Sequence, residues 1–147
     1  MFTGIVQGTA TVGAVEDLEG LRRLRLGFSD PAALQGAQVG ASIAVDGVCL
    51  TVTSVERDHA SFDAMHQTLN LTTLGRLQRG DRVNVERAAR ADAEVGGHPL
   101  SGHIDTQGRI VALRCPENNH VLRIAVPAPW MRYLFAKGYV AVDGASL

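Results

Sequence analysis

Apolar and polar residues alternate with a period of two between residues 9 and 86, and turn residues interrupt the pattern. This period is typical of strands with one buried face. It predicts six strands, over residues 9–15, 21–28, 42–45, 49–55, 60–64 and 82–86. Asp46-Gly47 is a strong hairpin signal because glycine accepts the positive φ that tight turns need. Six short strands joined in this way predict a small barrel or sandwich.

Helical signals are few. Residues 31–34 are predicted as one helical turn, because Asp30 is suited to cap it and Pro31 to begin it. A second short helix is predicted over residues 129–136, and the polar stretch at residues 65–73 is not predicted to be helical. The chain is therefore expected to be mostly β.

Two parts of the sequence repeat. The string AVDGVCL at 44–50 is matched by AVDGASL at 141–147, which lies 97 residues further on. FTGIV at 2–6 is matched by LSGHI at 100–104, 98 residues on, and a Pro-led segment precedes the first matched strand in both halves. Three features in one order at nearly one spacing predict a duplicated domain, with one copy over 1–97 and an incomplete copy over 98–147.

The second copy is short for an independent domain. A segment of this size rarely buries enough apolar surface to fold alone, and we expect residues 139–142 to lack a hairpin partner. The pattern therefore predicts a shortened form of a longer protein. The alternative is a natural short chain whose tail pairs with another subunit.

Composition narrows the class of protein. Hydrophobic residues are 46 % and charged residues 20 % of the chain, and the formal net charge is -1. This balance indicates neither a nucleic-acid nor an acidic-membrane surface. No apolar run reaches the roughly 20 residues of a membrane span, and the N-terminus lacks the features of a signal peptide. We expect a cytoplasmic protein in which Cys49 and Cys115 are free thiols.

Three stretches contain candidate catalytic or binding residues. Cys49 and Thr51 share one strand face, since side chains alternate, although a small cysteine is also an ordinary core residue. His98 and His103 are spaced too irregularly for a helical metal pair, and either also fits a loop histidine. Lys137, the only lysine, also fits an exposed cation at a helix end. Phosphate loops, dinucleotide motifs and Ser-His-Asp spacings are absent from the sequence.

Longer strings carry a family resemblance. MFTGIVQGTA at 1–10, DGVCLTV at 46–52, NVERAA at 84–89, GGHPLSGHID at 96–105 and KGYVAVDGASL at 137–147 resemble riboflavin synthases of the α-chain type. The resemblance implies two tandem six-stranded antiparallel Greek-key barrels, the second incomplete here, with short helices. It also implies a homotrimer in the full-length protein, with the active site between the first barrel of one subunit and the second barrel of another.

The resemblance also implies an activity. Riboflavin synthases convert two molecules of 6,7-dimethyl-8-ribityllumazine into riboflavin and 5-amino-6-(D-ribitylamino)uracil, with no metal or cofactor. Two similar pockets hold two identical substrates face to face, which is largely catalysis by proximity. By resemblance the first pocket comprises Gly4, Ile5, Val6, Cys49, Leu50, Thr51, Asp63, Ala64, Met65, His66, Gln67 and Thr68. The second comprises Gly102, His103, Ile104, Lys137, Ser146 and Leu147.

Catalytic roles are expected for four of these residues. His103 is the candidate for proton transfer, because histidine titrates near neutral pH. Ser146 is expected to position a water or donate a hydrogen bond, and Cys49 and Thr51 to orient the acceptor lumazine or add to it transiently. Many members carry Lys and Glu where this chain has His66 and Gln67, so contacts with the ribityl chain are expected to differ.

Three alternatives stay open at the level of the sequence. The nearest is a non-catalytic lumazine- or riboflavin-binding protein, a class that loses the histidine of the SGH string. That histidine is present here as His103, together with Cys49 and Ser146, which favours an enzyme. A flavin-binding barrel of the reductase type and a purely structural module are the others.

Overall fold

The computed structural model describes residues 1–92, 94 and 96–147, and six of its strands form a closed antiparallel barrel. Around the barrel the strands follow the order β1-β2-β5-β4-β3-β6, and β6 pairs with β1 to close it. The prediction of a six-stranded barrel is confirmed. The strands are β1 (Gly8–Leu18), β2 (Leu21–Phe28), β3 (Ser42–Val45), β4 (Val48–Val55), β5 (His59–Met65) and β6 (Arg82–Arg87).

The barrel interior is filled by the apolar half of each alternating strand. The largest side chains there are fully buried: Leu24, Leu26, Ile43, Val52 and Phe62. Burying a side chain of this size contributes about 1.5–3 kcal/mol. The polar half of each strand therefore lies on the outer surface, where it is available for a site.

Two tight turns share one backbone geometry. Asp46 and Gly47 connect β3 to β4 with φ of 46° and 81°. Asp143 and Gly144 connect β9 (Ala141–Val142) to β10 (Ala145–Ser146) with φ of 45° and 85°. The hairpin predicted at Asp46-Gly47 is confirmed.

The remaining strands are β7 (Arg109–Arg114) and β8 (Val121–Ala125), which form a second hairpin. The expectation that residues 139–142 lack a partner is wrong, because β9 pairs with β10 and Val140 and Leu147 exchange backbone hydrogen bonds. Most apolar side chains of these two hairpins are exposed. A domain boundary at residue 97 stays a prediction.

The helices are short. The 3₁₀ turn Pro31–Leu34 begins as predicted, with the Ala32 amide donating to Asp30 at 2.9 Å. The helix predicted at 129–136 is a 3₁₀ segment, Ala128–Tyr133. The sequence did not predict α1 (His66–Leu71) or the 3₁₀ turn Thr73–Arg76. Within the described residues, no helix is long and apolar enough to cross a membrane.

Candidate functional site

The predicted site residues of β4 lie on two faces of the strand. Leu50 is buried in the barrel core, while Cys49 is half-buried and Thr51 is exposed on the outer face. The expectation that Cys49 and Thr51 share a face is confirmed. Leu50 offers an external ligand its backbone only, because its side chain packs inward.

A row of polar side chains crosses the outer face of four strands. Arg23 of β2 stands opposite Asp63 of β5, and Ser42 of β3 stands opposite Thr51 of β4. The β4–β5 pairing ends at Val52 and Phe62, and Thr51 and Asp63 are the next residues along each strand, on the outer face. The row offers hydroxyl and carboxylate groups to a polar ligand.

The stretch from Asp63 to Thr68 bends around the end of the barrel. Ala64 points into the core and Met65 is exposed. His66, Gln67 and Thr68 form the first turn of α1, where the first two are exposed and Thr68 is half-buried.

The Asp63 carboxylate is held by an arginine. Arg23 donates from Nε to Oδ1 at 2.8 Å and from Nη2 to Oδ2 at 3.0 Å. The Arg23 hydrogen bonds, and then its charge, hold the pKa of the Asp63 carboxyl below its ordinary value. Asp63 is therefore an ionised acceptor at neutral pH.

Residues 102–104 lie against the first barrel. The Cys49 amide donates to the Gly102 carbonyl at 2.8 Å, and a Cβ on Gly102 would lie 2.7 Å from Cys49 Cβ. Ile104 packs against the barrel core, whereas His103 is exposed and its amide donates to Ser101. The segment thus borders the outer face that carries Cys49 and Thr51.

Residues 4–6 lie against the C-terminal hairpin. The Ser146 amide donates to the Gly4 carbonyl at 2.8 Å, and any side chain on Gly4 would collide with Ser146. Ile5 is exposed and Val6 half-buried. The Gly4 segment thus contacts Ser146 and the Gly102 segment contacts Cys49, and the expected division of these residues between two pockets stays a prediction.

A buried carboxylate fixes the N-terminal segment. Glu86 accepts from the Thr3 amide at 2.6 Å, the Thr3 hydroxyl at 2.8 Å and the Gly4 amide at 3.0 Å. Phe2 is also buried and exchanges two backbone hydrogen bonds with Leu100. Glu86 and Phe2 support the site without having been predicted to, although Glu86 lies in the NVERAA string.

His98 contacts both Ser146 and Tyr139. His98 Nδ1 lies 2.6 Å from Ser146 Oγ, and the His98 ring stacks on Tyr139 with centroids 4.4 Å apart. The interpretation of His98 as an ordinary loop histidine therefore missed its contact with Ser146, which is a predicted site residue. Lys137 and Leu147 are both exposed, and Lys137 adopts a positive φ of 62°.

The two Asp-Gly turns contact each other. A Cβ on Gly47 would lie 2.6 Å from the Gly144 nitrogen, so the backbones pack directly. Asp46 accepts from the Asn84 amide at 2.8 Å, and the Asn84 side chain donates to the Asp143 carbonyl at 3.0 Å. Burial raises the pKa of Asp46 to about 6, and the Asp143 charge adds to this effect.

A groove of about 600 Å³ is lined in part by α1. Its lining includes Arg22, Arg76 and Gln107, and His66 is the predicted site residue that borders it. The lining of this groove does not include Cys49, Thr51 or Asp63. Within residues 1–92, 94 and 96–147, no three His, Cys, Asp or Glu side chains are grouped to hold a metal ion.

The chain is similar in sequence to several known proteins. The lumazine binding domain family matches residues 3–88 and 101–147. The riboflavin synthase of Escherichia coli (strain K12) is 44 % identical over 148 residues, an alignment that covers 100 % of this chain and 69 % of that protein. The riboflavin synthase of Mycobacterium tuberculosis (strain H37Rv) is 47 % identical over 149 residues, covering 100 % of this chain and 73 % of that protein.

A solved structure has a similar fold. LumP complexed with riboflavin superposes with a TM-score of 0.89 at 25 % sequence identity, covering 99 % of this chain and 78 % of that one. The resemblance thus extends over both the closed barrel and the hairpins that follow it.

Proposed function

This chain belongs to the riboflavin synthase family of lumazine-binding-domain proteins, and from that premise we propose that its closed barrel binds 6,7-dimethyl-8-ribityllumazine and riboflavin. The ligand lies on the outer face of β4 and β5, beside Cys49, Thr51 and Asp63. The observation that carries the proposal is the set of polar side chains on the outer face of these neighbouring strands, which adjoins the Gly102 segment. Hydroxyl and carboxylate acceptors in a row suit a polyhydroxylated ribityl chain.

The proposed reaction is the dismutation of two lumazines to riboflavin and 5-amino-6-(D-ribitylamino)uracil. One lumazine loses a proton from its C7 methyl group and the other accepts a nucleophile at C7. We propose His103 for the proton transfer, because its segment is fixed to the Cys49 strand while its side chain stays exposed to a bound ligand. Cys49 and Thr51 orient the acceptor ring, and Ser146, in contact with His98, serves the second pocket.

The two proposed pockets are built on differently folded parts of the chain. The first is built on a closed barrel, whereas Lys137 and Leu147 of the second are exposed. We therefore expect this 147-residue chain to bind ligand well and to turn it over slowly. We also propose that the full-length protein is a homotrimer and that it is located in the cytoplasm. The two free cysteines support the cytoplasmic location.

A second candidate is a non-catalytic binding protein. The likeness in fold to LumP, which was solved in complex with riboflavin, favours it. The two functions share the first pocket and differ in whether riboflavin forms from lumazine.

Fluorescence titration with 6,7-dimethyl-8-ribityllumazine tests binding, and the appearance of riboflavin in the same mixture tests catalysis. We expect saturable binding with slow riboflavin formation, and slower formation still in His103→Gln with binding retained. Absence of saturable binding would exclude the proposed site. Rapid formation by the wild-type chain would contradict the expected slow turnover, and unchanged formation by His103→Gln would remove that residue from proton transfer.

A further inference from the structure

We infer that Arg23 is a positioning residue for ligand recognition: it orients the Asp63 carboxylate so that Asp63 accepts hydrogen bonds from the ribityl chain. The inference rests on the proposed function, because it concerns the same outer face.

The ion pair has the geometry of a fixed acceptor. Arg23 uses two nitrogens on the two carboxylate oxygens, which is the bidentate arrangement that gives both strength and orientation. The Asp63 side chain is 22 % exposed and that of Arg23 is 43 % exposed. Because each oxygen can accept a further hydrogen bond, Asp63 stays available to a ligand while its plane is fixed.

The position of the pair on the barrel gives it a function beyond stability. Asp63 occupies the polar row between Arg23 and Thr51, and Ser42 continues the row. A carboxylate that rotates freely presents its oxygens to a ligand hydroxyl only part of the time. Arg23 removes that freedom before the ligand arrives, so less conformational entropy is lost on binding.

The same strand supplies a matched control. Arg25 lies two residues further along β2, on the same outer face, and donates to Glu56 at 2.7 Å. Its side chain is 41 % exposed, close to the value for Arg23, but its partner is no predicted site residue. Arg23→Gln and Arg25→Gln therefore remove equivalent surface charges and differ in their distance from the site.

The test compares two ligands on four proteins, the wild type and three variants. Riboflavin carries the ribityl chain, whereas lumiflavin has the same ring system with a methyl group in its place. We expect Arg23→Gln to weaken riboflavin binding by about tenfold and to leave lumiflavin binding unchanged, since a hydrogen bond to a charged group is lost or misdirected. Arg25→Gln should change neither affinity, and Arg23→Lys should lie between wild type and Arg23→Gln because it keeps the charge without the bidentate geometry.

Each other outcome overturns the inference. Equal weakening of riboflavin and lumiflavin by Arg23→Gln assigns the pair a structural role only. Unchanged riboflavin affinity shows that Asp63 needs no partner or makes no contact with the ribityl chain. If wild type binds neither flavin, the proposed function fails and the inference fails with it, whereas wild-type binding with an insensitive Arg23→Gln removes the inference alone.

Discussion

The closed barrel and the two hairpins that follow it are both built from antiparallel strand pairs, but their apolar side chains are buried to very different extents. In the barrel, Leu24, Leu26 and Phe62 are each 0 % exposed. In the hairpins, Leu113 is 56 % and Ile110 is 60 % exposed. Both regions form the hydrogen bonds of antiparallel pairs, yet only the barrel closes on itself and excludes water from its apolar face.

This difference shows that strand pairing alone does not create a core, whereas closure of the barrel does. An isolated two-stranded hairpin is marginally stable in water, because its apolar face has nothing to pack against. The outer face of the barrel is therefore a rigid support for site residues such as Thr51 and Asp63. Ser146 gains its order from contacts with Gly4 and His98 instead.

The largest expected effect tests that difference with one substitution made in both regions. Leu26→Ala should lower the free energy of unfolding by about 2–5 kcal/mol, because it leaves a cavity in a closed core. Leu113→Ala removes the same atoms from an exposed position and should change it by less than about 0.5 kcal/mol. Urea unfolding followed by circular dichroism measures both. Equal losses in the two variants would show that the hairpins are stabilised as strongly as the barrel.

A smaller effect is expected where the two regions meet. Gly47→Ala places a methyl group 2.6 Å from the Gly144 nitrogen, so the two turns must separate. Gly20→Ala is the matched control, since Gly20 has a similar φ of 84° but its added Cβ would meet no atom within 4 Å. We expect Gly47→Ala to cost about 1–3 kcal/mol more than Gly20→Ala, the cost of forcing an extra methyl into a packed contact.

Amide hydrogen exchange identifies where that cost falls. Ser146, whose amide donates to Gly4, should exchange faster in Gly47→Ala than in Gly20→Ala, while the core amides of β2 keep their protection. If the two variants lose equal stability and leave Ser146 protected, the contact between the turns does not hold the regions together.

Local patterns were sufficient to predict the barrel strands and the Asp46-Gly47 turn, because each depends on neighbouring residues. Helix α1 was missed: it is one of the short elements, has no capping side chain at Met65, and is stabilised by Leu69 packing on the core and by Thr72 donating to the Thr68 carbonyl. These contacts depend on the completed fold, so the local pattern carried no helical signal.

The site was predictable in part, for the same reason. Alternation placed Cys49 and Thr51 on one face. The contacts of Glu86 with Thr3 and of His98 with Ser146 join residues 83 and 48 positions apart. No spacing rule connects such residues, and their proximity follows from barrel closure and from the packing of the two turns.

The smallest expected effect concerns pH and the same junction. Because burial raises the pKa of Asp46 to about 6 from an ordinary 3.8, the folded chain retains a proton that the unfolded chain has lost. The contribution of Asp46 to the free energy of unfolding should therefore be greatest below pH 3.8. It should fall as the pH rises towards 6 and level off above that value.

Asp46→Asn separates this effect from the rest of the chain. Asparagine keeps an oxygen for the Asn84 amide and tolerates the positive φ of 46°, while it removes the ionisation and the repulsion from Asp143. At pH 7 it should stabilise the chain by about 1 kcal/mol, a value reduced for the partial exposure of Asp46.

Asp143→Asn is the matched control, since Asp143 is exposed and should give a smaller gain. Unfolding curves of the three proteins at pH 4 and pH 7 measure the difference. A stability gain for Asp46→Asn that is the same at both pH values would mean that ionisation of Asp46 does not weaken the contact between barrel and hairpins.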